Sequence, residues 1–121
     1  MSKEKVGLYA MIRRYAFYRQ KKFMAKHQER KLQSKKYLDY IRKKPCSICG
    51  SMPCDPDHLE ARGMGGANKD GYKDYSCIPL CRKHHIERHN MGNNGFEARY
   101  NINIWKDAFN LLRRYFIGYK N

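Results

Sequence analysis

A chain of 121 residues with 26 Lys and Arg against 11 Asp and Glu carries a formal charge of +15. That length gives one domain with room for an appended arm, and no run comes near the roughly 20 apolar residues that a membrane-spanning helix needs. Positive charge on this scale concentrates and steers polyanions, so nucleic acid is the first partner to consider, ahead of a surface that is basic only for solubility or for a ribosome-like setting.

The charge is unevenly placed. Residues 1–44 hold fifteen Lys and Arg against Glu4, Glu29 and Asp39, a net +12, and the other 77 residues carry +3. The expected organisation is therefore a basic arm (1–44) ahead of a nearly balanced domain (45–121). The opening Met1-Ser2-Lys3-Glu4-Lys5 runs into no apolar stretch of secretory type, which leads us to expect a cytoplasmic protein. Five cysteines make an odd number, and in a reducing compartment short cysteine spacings suggest metal before disulfide.

In chain order, residues 7–43 read as helix. They contain no proline and are rich in Lys, Arg, Gln, Ala, Leu and Met. Leu8, Ile12, Tyr15, Arg19 and Phe23 follow an approximate helical stripe, with Phe17 and Met24 near a second. One helix, or two with a break near Gln33-Ser34, would fit, and Pro45 ends it. Residues 46–81 are rich in glycine and proline, so turns with short strands are expected. Residues 82–90 read as a short helix that Met91-Gly92-Asn93-Asn94-Gly95 interrupts. Ile104 to Tyr119 reads as an amphipathic closing helix with Trp105, Phe109, Leu112 and Phe116 at helical spacing.

Cys46-Ser47-Ile48-Cys49-Gly50 is a C-x-x-C knuckle, and Cys81-Arg82-Lys83-His84 is a C-x-x-H pair. Together they offer the four ligands of a closed Cys3His zinc site, structural because no position is left open. Such a staple supplements the core of a small domain; the alternative is two reduced pairs that bind nothing. Cys54 and Cys77 are left over, and the expectation for both is burial, with Cys54 a competing ligand.

Between the halves of the staple stands Asp55-Pro56-Asp57-His58-Leu59, and after it His84-His85-Ile86-Glu87-Arg88-His89. His85 and His89 at i, i+4 share a helix face and can share a divalent ion. Asp57 adds an oxygen ligand suited to Mg²⁺ or Mn²⁺. His58 is its neighbour, and adjacent strand residues point to opposite faces, so both serve one site only if the strand bends or bulges.

D-H-L, a Gly-Gly loop and then I-P-L-C-x-x-H-H-x-x-x-H resemble the ββα-metal fold of HNH endonucleases, in the zinc-bearing phage branch that includes recombination-enhancing nucleases. The resemblance covers roughly Pro45 to Tyr100. It implies an α+β fold: a small zinc-stapled ββα-metal core, flanked by the long basic N-terminal helix and the C-terminal helix. It also implies DNA as substrate, Asp57 and His85 as ligands of the catalytic Mg²⁺ or Mn²⁺ with His89 as a further one, and His58 as the general base. A protein partner in DNA recombination or phage DNA processing would suit that branch. The family's middle asparagine, which orients the base, is replaced here by Ser76, whose hydroxyl or carbonyl is the expected stand-in; Asn68 is the second choice.

For nucleic-acid contact the expected residues are Arg13, Arg14, Arg19, Lys21 and Lys22 on the arm, which would grip the DNA backbone through counterion release. Arg62, Arg82, Lys83 and Arg88 would meet phosphates flanking the cut. The arm's rings, Tyr15, Phe17, Tyr18 and Phe23, are expected to pack on the domain. Phe96-Glu97-Ala98-Arg99-Tyr100 is assigned to packing. Against the endonuclease stand a non-catalytic zinc-finger nucleic-acid-binding module and a small ribosome-type RNA-binding protein. Neither has a use for a second, open metal site.

Overall fold

The computed structural model describes residues 3–60, 64 and 66–118. The chain runs through α1 (Lys3–Arg42), β1 (Asp55–His58), a 3₁₀ turn (Tyr72–Ser76), β2 (Cys77–Leu80), α2 (Arg82–Tyr100) and α3 (Ile104–Ile117). It is a mostly helical α+β arrangement: a long N-terminal helix, a two-stranded antiparallel ribbon beside a Cys/His cluster, and two C-terminal helices. No helix among the described residues is long and apolar enough to cross a membrane.

α1 passes through Gln33-Ser34 without a break. The Ser34 hydroxyl donates back to the Lys31 carbonyl at 2.9 Å, a local bond that a helix interior tolerates. Among the described side chains of α1, the buried ones are Ser34, Tyr37 and Ile41, in its last turns. The expected packing of the arm's rings is therefore corrected: Tyr15, Phe17, Tyr18 and Phe23 are 60–64% exposed. The reason is length, since a 40-residue helix extends about 60 Å at 1.5 Å per residue and outruns the small domain it adjoins.

β1 and β2 pair in the register Asp55↔Leu80, Pro56↔Pro79, Asp57↔Ile78 and His58↔Cys77. Two facing prolines cannot donate to the ladder, which limits the ribbon. Its apolar side is sealed by Ile78 and Leu80 from β2, Leu59 just after β1, Tyr37 and Ile41 from α1, Phe96 from α2 and Ile104 from α3. Each such large side chain contributes roughly 1.5–3 kcal/mol on burial.

α2 does not end at Met91–Gly95. It continues to Tyr100 through a kink at Gly92, whose φ of 76° and ψ of 168° are not helical. The halves are tied across the kink by the Arg88 Nη1 bond to Asn93 Oδ1 at 2.6 Å and by Glu87, which pairs with Arg99 at 3.0 Å and accepts from the Tyr100 hydroxyl.

α3 is capped by the Asn103 side chain, which accepts from the Lys106 N–H at 3.0 Å. It ends at Ile117, and Tyr119 lies outside the described residues. Its inner face is Ile104, Ala108 and Leu111, while Phe109 and Phe116 are each 63% exposed. Of the expected stripe, Leu112 packs against the core, while Trp105, Phe109 and Phe116 are exposed. Two apolar stripes one residue apart run along this helix, and the smaller one fits against the ribbon.

Candidate active site and metal centres

The knuckle is made where α1 stops. Pro45 prevents continuation, and the chain turns so that Gly50 N–H donates to the Cys46 carbonyl at 2.9 Å. The Ser47 N–H donates to the Pro79 carbonyl at 2.9 Å, which sets the knuckle beside the end of β2, where Cys81 opens α2 and His84 follows one turn later. Cys49 Sγ lies 3.8 Å from Cys81 Sγ, and His84 Nδ1 lies 3.2 Å from Cys81 Sγ and 3.6 Å from Cys46 Sγ. A tetrahedral ion with zinc–sulfur bonds of about 2.3 Å sets its sulfurs about 3.8 Å apart, and its sulfur–nitrogen pairs slightly closer. Cys46, Cys49, Cys81 and His84 therefore fit a zinc ion, and the group can hold one.

The thiols differ in how readily they ionise. The Ser51 hydroxyl and N–H beside Cys49 hold its thiol down to about 6, whereas burial raises that of Cys46. Cys54 is not part of the cluster; its thiol donates to the Ser51 carbonyl at 3.2 Å and burial pushes it up to about 11. Cys77 is fully buried in the core.

The second group forms between β1 and the first turns of α2. Strand parity sends Asp55 and Asp57 to the same side of β1, toward His85 and His89. Asp57 Oδ1 lies 3.4 Å from both His85 Nε2 and His89 Nε2, and the two nitrogens are 3.0 Å apart. Metal–ligand bonds near 2.1 Å place neighbouring donors about 3.0–3.4 Å apart, so these three atoms could hold one divalent ion, with Arg88 Nη2 beside them at 3.3 Å from His89 Nε2. Asp55 Oδ2 lies 3.1 Å from His85 Nδ1. A carboxylate there holds that nitrogen protonated and turns Nε2 outward as a lone-pair donor.

Arg88 is corrected. It lines the cleft but is 7% exposed, its guanidinium engaged by a carboxylate rather than offered freely to a flanking phosphate. Its Nη2 donates to Asp57 Oδ1 at 2.8 Å and its Nε to Oδ2. Asp57 is 1% exposed, and a buried carboxylate requires such a partner. Of the other expected phosphate contacts, Arg82 and Lys83 are on the surface at the start of α2, with Arg82 Nε 3.3 Å from Asp55 Oδ2. Arg13, Arg14, Arg19, Lys21 and Lys22 are exposed along α1, and Arg62 lies outside the described residues.

His58 ends β1, at the point where the chain departs through Leu59. There it lines the same open cleft of about 530 Å³ as Asp57, His85, His89 and Asn68, although its parity on the strand is opposite to that of Asp57. The cleft is reached from the strand's end rather than through a bulge. Ser76 does not orient His58: its hydroxyl donates to the Lys73 carbonyl at 2.7 Å, inside the 3₁₀ turn. The partner of His58 is Asp74, with Nε2 and Oδ1 2.8 Å apart. Asn68 does fold in, but onto Asp74, donating to Oδ1 at 3.0 Å while accepting from the Lys73 N–H at 2.9 Å.

This loop is anchored on α1. Asp70 bonds His27 Nδ1 at 2.5 Å and Arg30 Nη1 at 3.1 Å. Gly71, at φ 72°, presses against Ser34 so closely that a Cβ would lie 2.1 Å from the hydroxyl oxygen. Sequence reasoning missed Asp55, Asp70 and Asp74. Asp55 had a signal, its period-2 spacing from Asp57; the other two act through contacts that only the folded loop creates.

A family model described as "Protein of unknown function (DUF968)" matches residues 19–114. The chain belongs to the DUF968 family. The DUF968 match takes in both clusters, the His58–Asp74 pair and most of α3, and it begins partway along α1. The chain is also 39% identical over 67 residues to the uncharacterized protein YdfU of Escherichia coli (strain K12), which covers 55% of this chain and 19% of that protein. The chain thus aligns with about a fifth of that relative's length. No solved structure matches it.

Proposed function

We propose that this DUF968 chain is a metal-dependent endonuclease of the HNH type, built on a ββα-metal core and hydrolysing DNA phosphodiester bonds. The observation that carries the reading is the meeting, in one open cleft, of an Asp57/His85/His89 donor triangle with a carboxylate-held histidine, beside a separate closed Cys3His group. A binding module needs the closed group alone. The order β1, β2, α2, with donors from the first strand and the helix, agrees with the resemblance in the motif.

His58 serves as general base. Asp74 accepts from Nε2–H, which fixes the tautomer and leaves Nδ1 with the lone pair that takes a proton from water. The water oxygen bonds to phosphorus as the bond from phosphorus to the 3′ oxygen breaks, giving a 5′-phosphate and a 3′-hydroxyl. A divalent ion on Asp57, His85 and His89 would stabilise the charge that develops on the phosphate and on the departing oxygen. Asp55 keeps His85 in its ligating tautomer, and Arg88 neutralises Asp57 by donating to both of its oxygens, of which Oδ1 also faces the histidines. Cys46, Cys49, Cys81 and His84 would hold a zinc ion that ties the knuckle to α2, the helix that carries both histidines. Lys and Arg along α1 supply affinity for the DNA backbone without reading its sequence.

The test is cleavage of end-labelled DNA by the zinc-loaded chain, with Mg²⁺ or Mn²⁺ and without either. Metal-dependent cuts leaving 5′-phosphates support the reading. DNA that is bound and left uncut in every metal would favour the second reading, a zinc-stapled binding module.

A further inference from the structure

The arm carries rings that the fold leaves in water. Tyr9, Tyr15, Phe17, Tyr18 and Phe23 are all 60–64% exposed. Residues 5–28, which contain them, have seven Lys and Arg and no Asp or Glu. Cations and rings are in contact: the Arg13 guanidinium sits 6.0 Å from the Tyr9 centroid and Lys21 Nζ 5.2 Å from that of Phe17.

The placement of the rings argues against a protein occupant. A helix that docks in a groove or pairs with a copy of itself presents one face, repeating at i, i+3, i+4 and i+7. At about 100° per residue, Tyr15 and Tyr18 share one side with Leu8 and Ile12, but Tyr9 and Phe17 each project more than about 100° away from Tyr15, so the rings are spread over several faces, and a second copy would bring an equally basic helix alongside. Duplex DNA explains the cations but not the rings, because its bases are stacked inside and its outer surface is phosphate. An unpaired strand offers a phosphate and an open π-face at every nucleotide, and it can wind around a helix to meet rings on several sides.

We propose that residues 8–32 of α1 bind single-stranded DNA, with the phosphates on Lys and Arg and the bases stacked on the exposed rings. The choice of DNA over RNA rests on the nuclease reading above. The near end of this stretch adjoins the catalytic loop through the His27–Asp70 contact. A strand held on the arm is thus led toward the cleft, and the substrate is DNA with an unpaired segment beside the cut.

The experiment is fluorescence anisotropy of the full zinc-loaded chain, without Mg²⁺ or Mn²⁺. The probes are an oligothymidylate of about 20 nucleotides, longer than the roughly 4–16 nucleotides that single-strand sites cover, an equally long duplex, and an oligouridylate. The variant changes Tyr9, Tyr15, Phe17, Tyr18 and Phe23 to Leu together, which keeps every charge, with helicity checked by circular dichroism. The expected result is tighter binding of oligothymidylate than of the other two. In the variant that affinity falls by about 10- to 100-fold, the scale set by stacking, with duplex affinity unchanged. Equal affinity for duplex and single strand, unchanged single-strand binding in the variant, preference for oligouridylate, or a loss confined to self-association would each overturn the proposal. Absent cleavage with this binding pattern intact would overturn only the nuclease reading; cleavage without single-strand preference would overturn only this one.

Discussion

His58 Nε2 and Asp74 Oδ1 meet at 2.8 Å across 16 residues of sequence. The contact joins the end of β1 to the 3₁₀ turn, and the same Asp74 oxygen accepts from Asn68. An acceptor held from two sides can fix the histidine's tautomer and direction together, which is what a general base requires.

Asp74→Asn keeps the shape of the side chain but can present an N–H to Nε2, which favours the opposite tautomer. We expect cleavage to fall by roughly 10²- to 10⁴-fold, the range of a positioned base, with zinc content and DNA affinity unchanged. Single-turnover rates beside binding curves check this; a rate within twofold of the parent would remove Asp74 from the mechanism.

Gly71→Ala should destabilise the fold by about 2–5 kcal/mol. The left-handed backbone costs an L-residue roughly 1–2 kcal/mol, and overpacking against Ser34 adds about 1–3 kcal/mol. Adding Ser34→Gly relieves the collision but not the backbone strain, so urea melts of the double variant should recover only part of the loss. Full recovery would show that backbone conformation is unimportant there.

The Asp70 clamp has a pH signature. The His27 bond, followed by the Arg30 charge, holds the Asp70 carboxyl below its ordinary value. A depressed acid contributes stability above its unfolded pKa, about 3.9, and loses it as pH falls through the lower folded value. Asp70→Asn should therefore lower the melting temperature between pH 5 and 7, and the gap should close below about pH 4. A gap that widens in acid would contradict the assignment.

The donors of the two groups that could hold a metal were legible because most are written at fixed local spacing. Cys46 and Cys49, Cys81 and His84, and His85 and His89 each lie within a helical turn or a knuckle, so sequence distance is close to spatial distance. Asp57 came from its place beside His58 in a motif. The unread parts depend on tertiary contacts. Asp74 reaches His58 only because Gly71 seats the loop on Ser34, and Ser76, in the position the motif assigns to an orienting group, turns back to Lys73. Arg88 looked like a surface cation because charge runs usually are; its burial follows from Asp57 lying beneath it. On α3 the periodicity was right, but of the expected stripe Leu112 packs on the core while Trp105, Phe109 and Phe116 do not, since apolar pattern alone does not choose between adjacent stripes. The rings of α1 were assigned to a core that the helix outruns.

The two metal groups should separate cleanly. Cys81→Ala or strong chelation removes zinc and unfolds the ribbon and α2, because the knuckle loses its tie to the helix. Asp57→Ala with Arg88→Met, which removes the buried pair together, should keep one zinc per chain and a cooperative melt while abolishing cleavage. Zinc content by mass spectrometry under native conditions, read beside circular dichroism, decides it; loss of zinc from the double variant would show that the groups are one unit.

The most direct test of the central claim is conversion of supercoiled plasmid with Mg²⁺ or Mn²⁺ by the zinc-loaded parent and by His58→Ala. The account predicts metal-dependent nicked or linear product from the parent and at least a hundredfold slower conversion by the variant, which still folds and binds DNA. Equal cleavage by both proteins, or cleavage by the parent that persists without a divalent ion, would contradict it.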